Sequence, residues 1–249
     1  SAYAPEHLPE ILSYGADQPK RVLECRPMAH PGGKPMKKDL AAIVAQYVDD
    51  HTDPVPPLLI KLLEETEEQT GLARWSIGKS EGKFLQFLIK IAGVKQAIEI
   101  GTFTGYSALL IAAALPDDGI LTTCEINKEF ARIALKYFRQ SPHGRKIRLE
   151  IGPAIETLRR IPNQSADFIF IDADKPAYGR YYDESIRLLK SGGFVMVDNV
   201  FWRLKIFKKN ITNQNARAIA AFNEKVRRDV RVEKLMLNIR DGVYLIVKK

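Results

Sequence analysis

Cysteine is nearly absent. Cys25 and Cys124 are the only two among 249 residues, which excludes a disulfide framework and makes a reducing cytoplasm the expected compartment. Histidine is almost as scarce, and His7, His30, His51 and His143 have no metal-ligand spacing to one another, so a zinc site is not expected. No run of 18 apolar residues occurs, and no basic stretch leads into an apolar one at the start; neither a membrane span nor a secretory signal is expected. The spacing G-x-G-x-x-G, which cradles a pyrophosphate, is missing as well. Long periodic segments are missing from residues 1–57, where Pro27, Pro31, Gly32, Gly33, Pro35, Pro54, Pro56 and Pro57 break the chain. One helix over 38–50, with Leu40, Ile43, Val44 and Tyr47 on one face, survives there. The region reads as an N-terminal arm that packs on the core or on a second subunit, leaving 58–249 as the main domain.

What is present is organised around residues 97–107, Ala-Ile-Glu-Ile-Gly-Thr-Phe-Thr-Gly-Tyr-Ser. An apolar strand runs into a turn bracketed by Gly101 and Gly105, and a helix follows. Glycine lets the chain reverse with positive φ and lets a ligand approach bare backbone. Strands are expected at 96–100, 120–126, 146–151, 167–172 and 193–198. Helices are expected at 58–70, 81–92, 106–115, 128–140, 154–161, 177–190 and 213–229, and a hairpin at 230–238 and 242–248 turning at Arg240-Asp241-Gly242. Near-continuous apolar strands alternating with helices specify an α/β fold: a doubly wound, mostly parallel Rossmann-like sheet with helices on both faces and a C-terminal antiparallel hairpin.

In such sheets ligands bind beyond the carboxyl ends of the strands. Those ends carry Glu99-Ile100-Gly101, Cys124-Glu125, Gly152-Pro153-Ala154, Asp172-Ala173-Asp174-Lys175 and Asp198-Asn199. Glu125 stands at the spacing of an acid that binds ribose hydroxyls; its plainer reading is a cap on helix 128–140. No basic residue accompanies the glycine turn to hold a diphosphate, which favours S-adenosylmethionine over a nicotinamide dinucleotide. Glu99 adds negative potential near a cationic ligand, or serves a structural hydrogen bond. Asp172, Asp198 and Asn199 are hard oxygen donors suited to Mg²⁺, with Ca²⁺ or Mn²⁺ as alternatives. Asp174 is placed to bind the cofactor or to support these donors. Lys175 is a candidate base, or a counter-ion to its acidic neighbours. Tyr178, Tyr181 and Tyr182 read mainly as packing residues, one of them able to touch a cofactor.

Charge is uneven. Residues 203–249 hold 13 Lys and Arg against 4 Asp and Glu, while the rest of the chain nearly balances; the whole carries +8. Nucleic-acid or membrane binding, a solvated basic face, and a rim attracting small anions are the three readings.

The segments Glu-Ile-Gly-Thr-Phe-Thr-Gly-Tyr-Ser (99–107), Gly-Pro-Ala (152–154), Asp-Ala-Asp-Lys (172–175) and Asp-Asn-Val-Phe-Trp (198–202) resemble the cation-dependent class I O-methyltransferases, the caffeoyl-CoA and catechol O-methyltransferase-like group. The resemblance covers roughly residues 70–249, and the family's Gly-Asp-Gly-like element appears as Arg240-Asp241-Gly242. It implies Asp172, Asp198 and Asn199 as metal ligands and Lys175 as base. It implies Glu99, Gly101, Ser107, Glu125, Ala154, Asp174 and Tyr181 as contacts to S-adenosylmethionine. Trp202 matches a substrate-lining aromatic, with Trp75 as a second candidate. Three departures stand out: glutamate replaces the common aspartate at 125, Asp-Lys-Pro-Ala-Tyr replaces the plant Asp-Lys-Asp-Asn-Tyr, and the loop 203–209 does not resemble the plant loop. The expected activity is O-methylation of a vicinal dihydroxyphenyl compound, with an anionic tail on the acceptor and a homodimer as the assembly; membrane and nucleic-acid partners are not expected. A nicotinamide-dependent oxidoreductase and a nucleic-acid-binding methyltransferase are the alternatives.

Overall fold

The computed structural model describes residues 40–249. Most of the arm expected over 1–57 lies, up to residue 39, outside the described residues. The chain divides into two units, Ser1–Ala45 and Gln46–Lys249. Helix α1 (Leu40–Asp50) runs through that boundary, and the second unit carries the sheet.

Seven strands form that sheet: β1 (Gln96–Ile100), β2 (Ile120–Glu125), β3 (Ile147–Ile151), β4 (Ala166–Ile171), β5 (Leu189–Asp198), β6 (Val232–Leu237) and β7 (Val243–Lys248). Their order is β3-β2-β1-β4-β5-β7-β6. The first five run parallel, and β7 lies antiparallel between β5 and β6. Helices α2 (Pro57–Thr70), α3 (Lys79–Ile91), α4 (Tyr106–Ala114) and α5 (Lys128–Gln140) pack on one face, and α6 (Ala154–Arg160), α7 (Tyr178–Leu188) and α8 (Gln214–Arg228) on the other. The two-residue period of a strand divides β4 between them. Phe168 and Phe170 join the core with Leu62, Leu85 and Ile111, while Ile169 and Ile171 join Tyr178, Val195 and Phe222. The doubly wound architecture is thus the one expected from the alternation of elements.

Most boundaries differ from the expectation by a residue or two, and the largest difference lies where α7 gives way to β5. Helix α7 ends at Leu188, and β5 already begins at Leu189, with its register against β4 shifting between Ala166 and Phe168. The apolar pair Leu188-Leu189 continues a helical pattern, but Gly192 takes a φ of +78° and the chain turns there. At the other end of α7 the first turn, Lys175–Ala177, is a 3₁₀ turn opened by Pro176, whose fixed φ suits a helix start.

The strand order reverses between β1 and β4, which is where such folds bind ligands. Gly101 sits at that point with a φ of +102°. A Cβ there would stand 2.1 Å from the Asp172 carbonyl oxygen, so only glycine lets the turn after β1 pass the end of β4.

Candidate active site

The half of the site around β1 and β2 is built from backbone. The N–H groups of Gly101 and Thr102 both donate to the Cys124 carbonyl, at 3.1 Å each, and the Gly152 N–H donates to the Glu125 carbonyl at 2.9 Å. Three strand ends are thereby tied into one edge. Glu125 clamps that edge: its Oε2 accepts from the Phe103 N–H at 2.7 Å and its Oε1 from the Asn127 N–H at 2.8 Å. Burial pushes its carboxyl above the usual range, against the pull of those backbone donors. Each carboxylate oxygen keeps a further lone pair for a ligand hydroxyl.

Glu99 lies fully buried beneath the turn. Thr123 donates to its Oε2 at 2.5 Å, Ser107 reaches it from the first turn of α4, and its Oε1 has no hydrogen-bond partner. Burial is the main force that raises its carboxyl to about 8, with the Asp172 and Glu125 carboxylates adding to it and the two hydroxyls opposing. Between the ordinary value of 4.5 and about 8 the folded chain therefore holds a proton that the unfolded chain has lost. The contribution of this group to stability falls as pH rises through that window. Glu99→Gln is expected to flatten the slope: at pH 8 the ligand-free variant melts above the parent protein, while binding of a cationic ligand weakens. Melting curves from pH 5 to 9, with and without S-adenosylmethionine, read both effects; a slope unchanged by the substitution would remove Glu99 as its source.

The other half sits at the ends of β4 and β5. Lys175 Nζ donates to Asp172 Oδ1 at 2.9 Å, Asn199 Oδ1 at 2.8 Å and the Tyr178 hydroxyl at 2.6 Å, and Tyr178 in turn donates to the Asp198 carbonyl at 3.1 Å. Asp172 and Asn199 thus already turn their oxygens toward one positive charge. Asp198 is nearly fully buried, and its carboxyl is pushed well up by burial and by the carboxylates of Asp172 and Glu81. Its Oδ1 accepts the Asn199 N–H at 2.6 Å. Among the described residues no three His, Cys, Asp or Glu side chains form a group that could hold a metal ion; the oxygen donors gathered here are the Asp172 and Asp198 carboxylates and the Asn199 amide. A buried carboxylate, a half-buried one that repels it and an amide oxygen suit a hard divalent cation.

Asn199 is held in the left-handed region at φ +60°, as are Trp202, Arg203 and Leu204 in succession at +46°, +53° and +57°. Such strain clusters where surroundings fix a functional loop. The Trp202 Nε1 donates to Asn213 Oδ1 at 2.9 Å, the residue that also caps α8. Lys175 Nζ and Arg203 Cζ stand 5.5 and 6.0 Å from the Trp202 ring.

The candidate residues therefore gather into two adjoining groups: Gly101, Glu99, Ser107, Glu125 and Ala154 around the glycine turn, and Asp172, Lys175, Asp198, Asn199 and Trp202 beyond β4 and β5. Asp174 accepts the Tyr181 hydroxyl at 2.6 Å, so that pair acts together. Trp75 stands apart from Trp202: its ring neighbour is Phe103 of the glycine turn, 5.8 Å away. Sequence reasoning missed Glu81, which reads as a surface acid of an amphipathic helix but is fully buried. It also read Tyr178 as packing, although its hydroxyl links Lys175 to the Asp198 carbonyl.

A glycine turn at the switch point with an acid on the neighbouring strand is the arrangement of a nucleoside-binding α/β fold. The sequence matches the O-methyltransferase family over residues 49–249, and the chain belongs to that family; it is an S-adenosylmethionine-dependent O-methyltransferase. It is similar to caffeoyl-CoA O-methyltransferase 2 of Petunia hybrida, 34% identical over 214 residues that cover 80% of this chain and 88% of that one. The O-methyltransferase of Bacillus cereus solved with S-adenosylhomocysteine superposes with a TM-score of 0.77 at 28% identity, covering 83% of this chain and 97% of that chain. TomG of Streptomyces achromogenes, solved with S-adenosylmethionine and involved in tomaymycin synthesis, gives 0.76 at 25% identity over 83% and 96%. Among the described residues no helix is long and apolar enough to cross a membrane.

Proposed function

We propose that the chain methylates one hydroxyl of a catechol-type phenol, using a divalent cation held by Asp172, Asp198 and Asn199. The observation that carries this reading is the convergence of Asp172 and Asn199 on the Lys175 ammonium beside buried Asp198. A cation bound there supplies the charge that lowers the pKa of a neighbouring hydroxyl, and S-adenosylmethionine supplies the activated methyl group. The residues of the chain do the rest. Glu125 binds the ribose, while Glu99 and the Asp174–Tyr181 pair bind the polar end of the methyl donor, with Gly101, Ser107 and Ala154 lining its cleft. The Lys175 ammonium, held by Asp172, Asn199 and Tyr178, stabilises the developing phenolate by its charge, and the hydroxyl proton leaves to solvent. Trp202 stacks the acceptor ring, and much of the acceleration comes from holding the two reactants in line.

The acceptor carries an anionic tail. Arg203, Lys208 and Lys209 are exposed just beyond Trp202, and Leu204 and Phe207 lie exposed among them, so the loop offers apolar cover and positive charge together. Each exposed cation contributes only about 0.2–1 kcal/mol, but several steer an anion. Product analysis by mass spectrometry should show a vicinal diol methylated once and a single phenol left unchanged. Replacing Lys205, Lys208 and Lys209 by Ala should raise KM for a carboxylated catechol and leave a neutral one nearly unaffected. Equal responses would make the run a solvated surface.

The assembly is a two-fold dimer. Phe87 and Ile91 on α3 are exposed apolar residues, and two-fold dimers are the commonest closed assembly. Light scattering at micromolar protein should give twice the chain mass; a monomer mass would contradict it.

A further inference from the structure

The Gly-Asp-Gly-like element appears here as Arg240-Asp241-Gly242, and Arg240 retains the backbone that glycine favours, at φ +48°. An arginine kept in that conformation needs a reason in its side chain. The guanidinium supplies one. Its Nη1 donates to Oε2 of fully buried Glu81 at 3.0 Å and to the Ser76 carbonyl at 3.3 Å. Its stem lies so close over Gly78 that a Cβ there would stand 3.1 Å from Arg240 Cδ. The side chain is thereby fastened to the start of α3 and to the segment that follows Trp75. Without this cation the fully buried Glu81, whose carboxyl burial already pushes up and which is hydrogen-bonded to Asp198, would lose its ionic partner, a loss that costs stability.

The main chain beside Arg240 grips the opposite wall. The Asp241 carbonyl accepts the Phe201 N–H at 2.9 Å and its Oδ1 accepts the Arg203 N–H at 2.5 Å, while the Gly242 carbonyl accepts the Val200 N–H at 3.1 Å. These bonds hold the strained loop that carries Asn199 and Trp202. One short segment therefore joins the Trp75 side of the strand-end surface to the Trp202 side.

We propose that Arg240 is a positioning residue: through its pair with Glu81 it sets the spacing between the two walls and so the fit of the acceptor ring. The proposal rests on the reading of Trp202 as an acceptor wall. Arg240→Gly tests it, because glycine accepts the backbone conformation; Glu81→Gln is made alongside it so that no buried carboxylate is left without its partner. The acceptor KM is expected to rise about tenfold, with kcat changed less than about threefold. Calorimetry should give unchanged affinity for S-adenosylhomocysteine, and Arg240→Lys, which can still reach Glu81, should recover most of the KM. Hydrogen exchange reads the fastening without any turnover: amides 200, 201 and 203 should exchange faster in Arg240→Gly. Faster exchange with an unchanged KM would leave the fastening intact as fact and overturn its role in acceptor fit. Unchanged exchange would overturn the fastening itself. An equal loss of cofactor affinity and acceptor KM would make the pair a general staple and overturn the proposal too. A parent protein that binds S-adenosylhomocysteine but methylates no catechol would sink the acceptor reading, and this role of Arg240 with it.

Discussion

Asp198→Ala should abolish methyl transfer while leaving the protein folded and able to bind S-adenosylhomocysteine. Asp198 is buried at the end of β5, and burial together with the carboxylates of Asp172 and Glu81 holds its carboxyl well above its ordinary value. Removing it relieves repulsion, so the ligand-free variant should melt no lower than the parent apart from the small cost of the lost Asn199 N–H partner. A cation held there, as proposed above, would lose a buried ligand. A loss of about a thousandfold in turnover corresponds to about 4 kcal/mol of transition-state stabilisation, the scale expected when the charge that activates a hydroxyl is removed. Asp172→Ala should behave alike in turnover and also free Lys175 from one of its partners. Turnover within a few-fold of the parent, with the cation still bound by calorimetry, would show that Asp198 is not a ligand.

Glu125→Ala acts on the other half of the site, and it should cost both affinity and stability. In the ligand-free chain the carboxylate accepts the Phe103 and Asn127 N–H groups. Losing it leaves the half-buried Phe103 N–H without a partner, at about 1–3 kcal/mol if water cannot reach it, while the Asn127 N–H, on an exposed residue, can turn to solvent. If Glu125 holds the ribose, as proposed above, affinity for S-adenosylhomocysteine should also fall by about 10–100-fold, or about 1.4–2.7 kcal/mol. Glu125→Gln separates the two effects, because an amide oxygen can still accept one backbone N–H. Calorimetry and melting together decide it: a lower melting temperature with unchanged affinity would make Glu125 a clamp on the glycine turn and nothing more.

The positions of β1 to β4 were readable because their residues obey one rule at a time. An apolar run such as Asp-Phe-Ile-Phe-Ile allows nothing but a strand buried on both faces, and acids at its end mark the ligand edge. The Lys175 contacts were not readable, because a lysine three residues after Asp172 is equally a surface counter-ion. Only the fold brings Asn199, 24 residues on, to within 2.8 Å of it. Glu81 shows the same limit. Its place in an amphipathic helix says surface, and burial appears only once the β6–β7 connection carries Arg240 across to it. The start of β5 at Leu189 was hidden by a helical pattern that runs on until the backbone turns at Gly192.

On the proposed function, methyl transfer requires a divalent cation at Asp172, Asp198 and Asn199. Transfer of labelled methyl from S-adenosylmethionine to a catechol, measured in excess EDTA and again after Mg²⁺ is restored, tests it most directly. The account predicts no transfer in EDTA, recovery with Mg²⁺, and S-adenosylhomocysteine affinity unchanged throughout; full transfer in EDTA would contradict it.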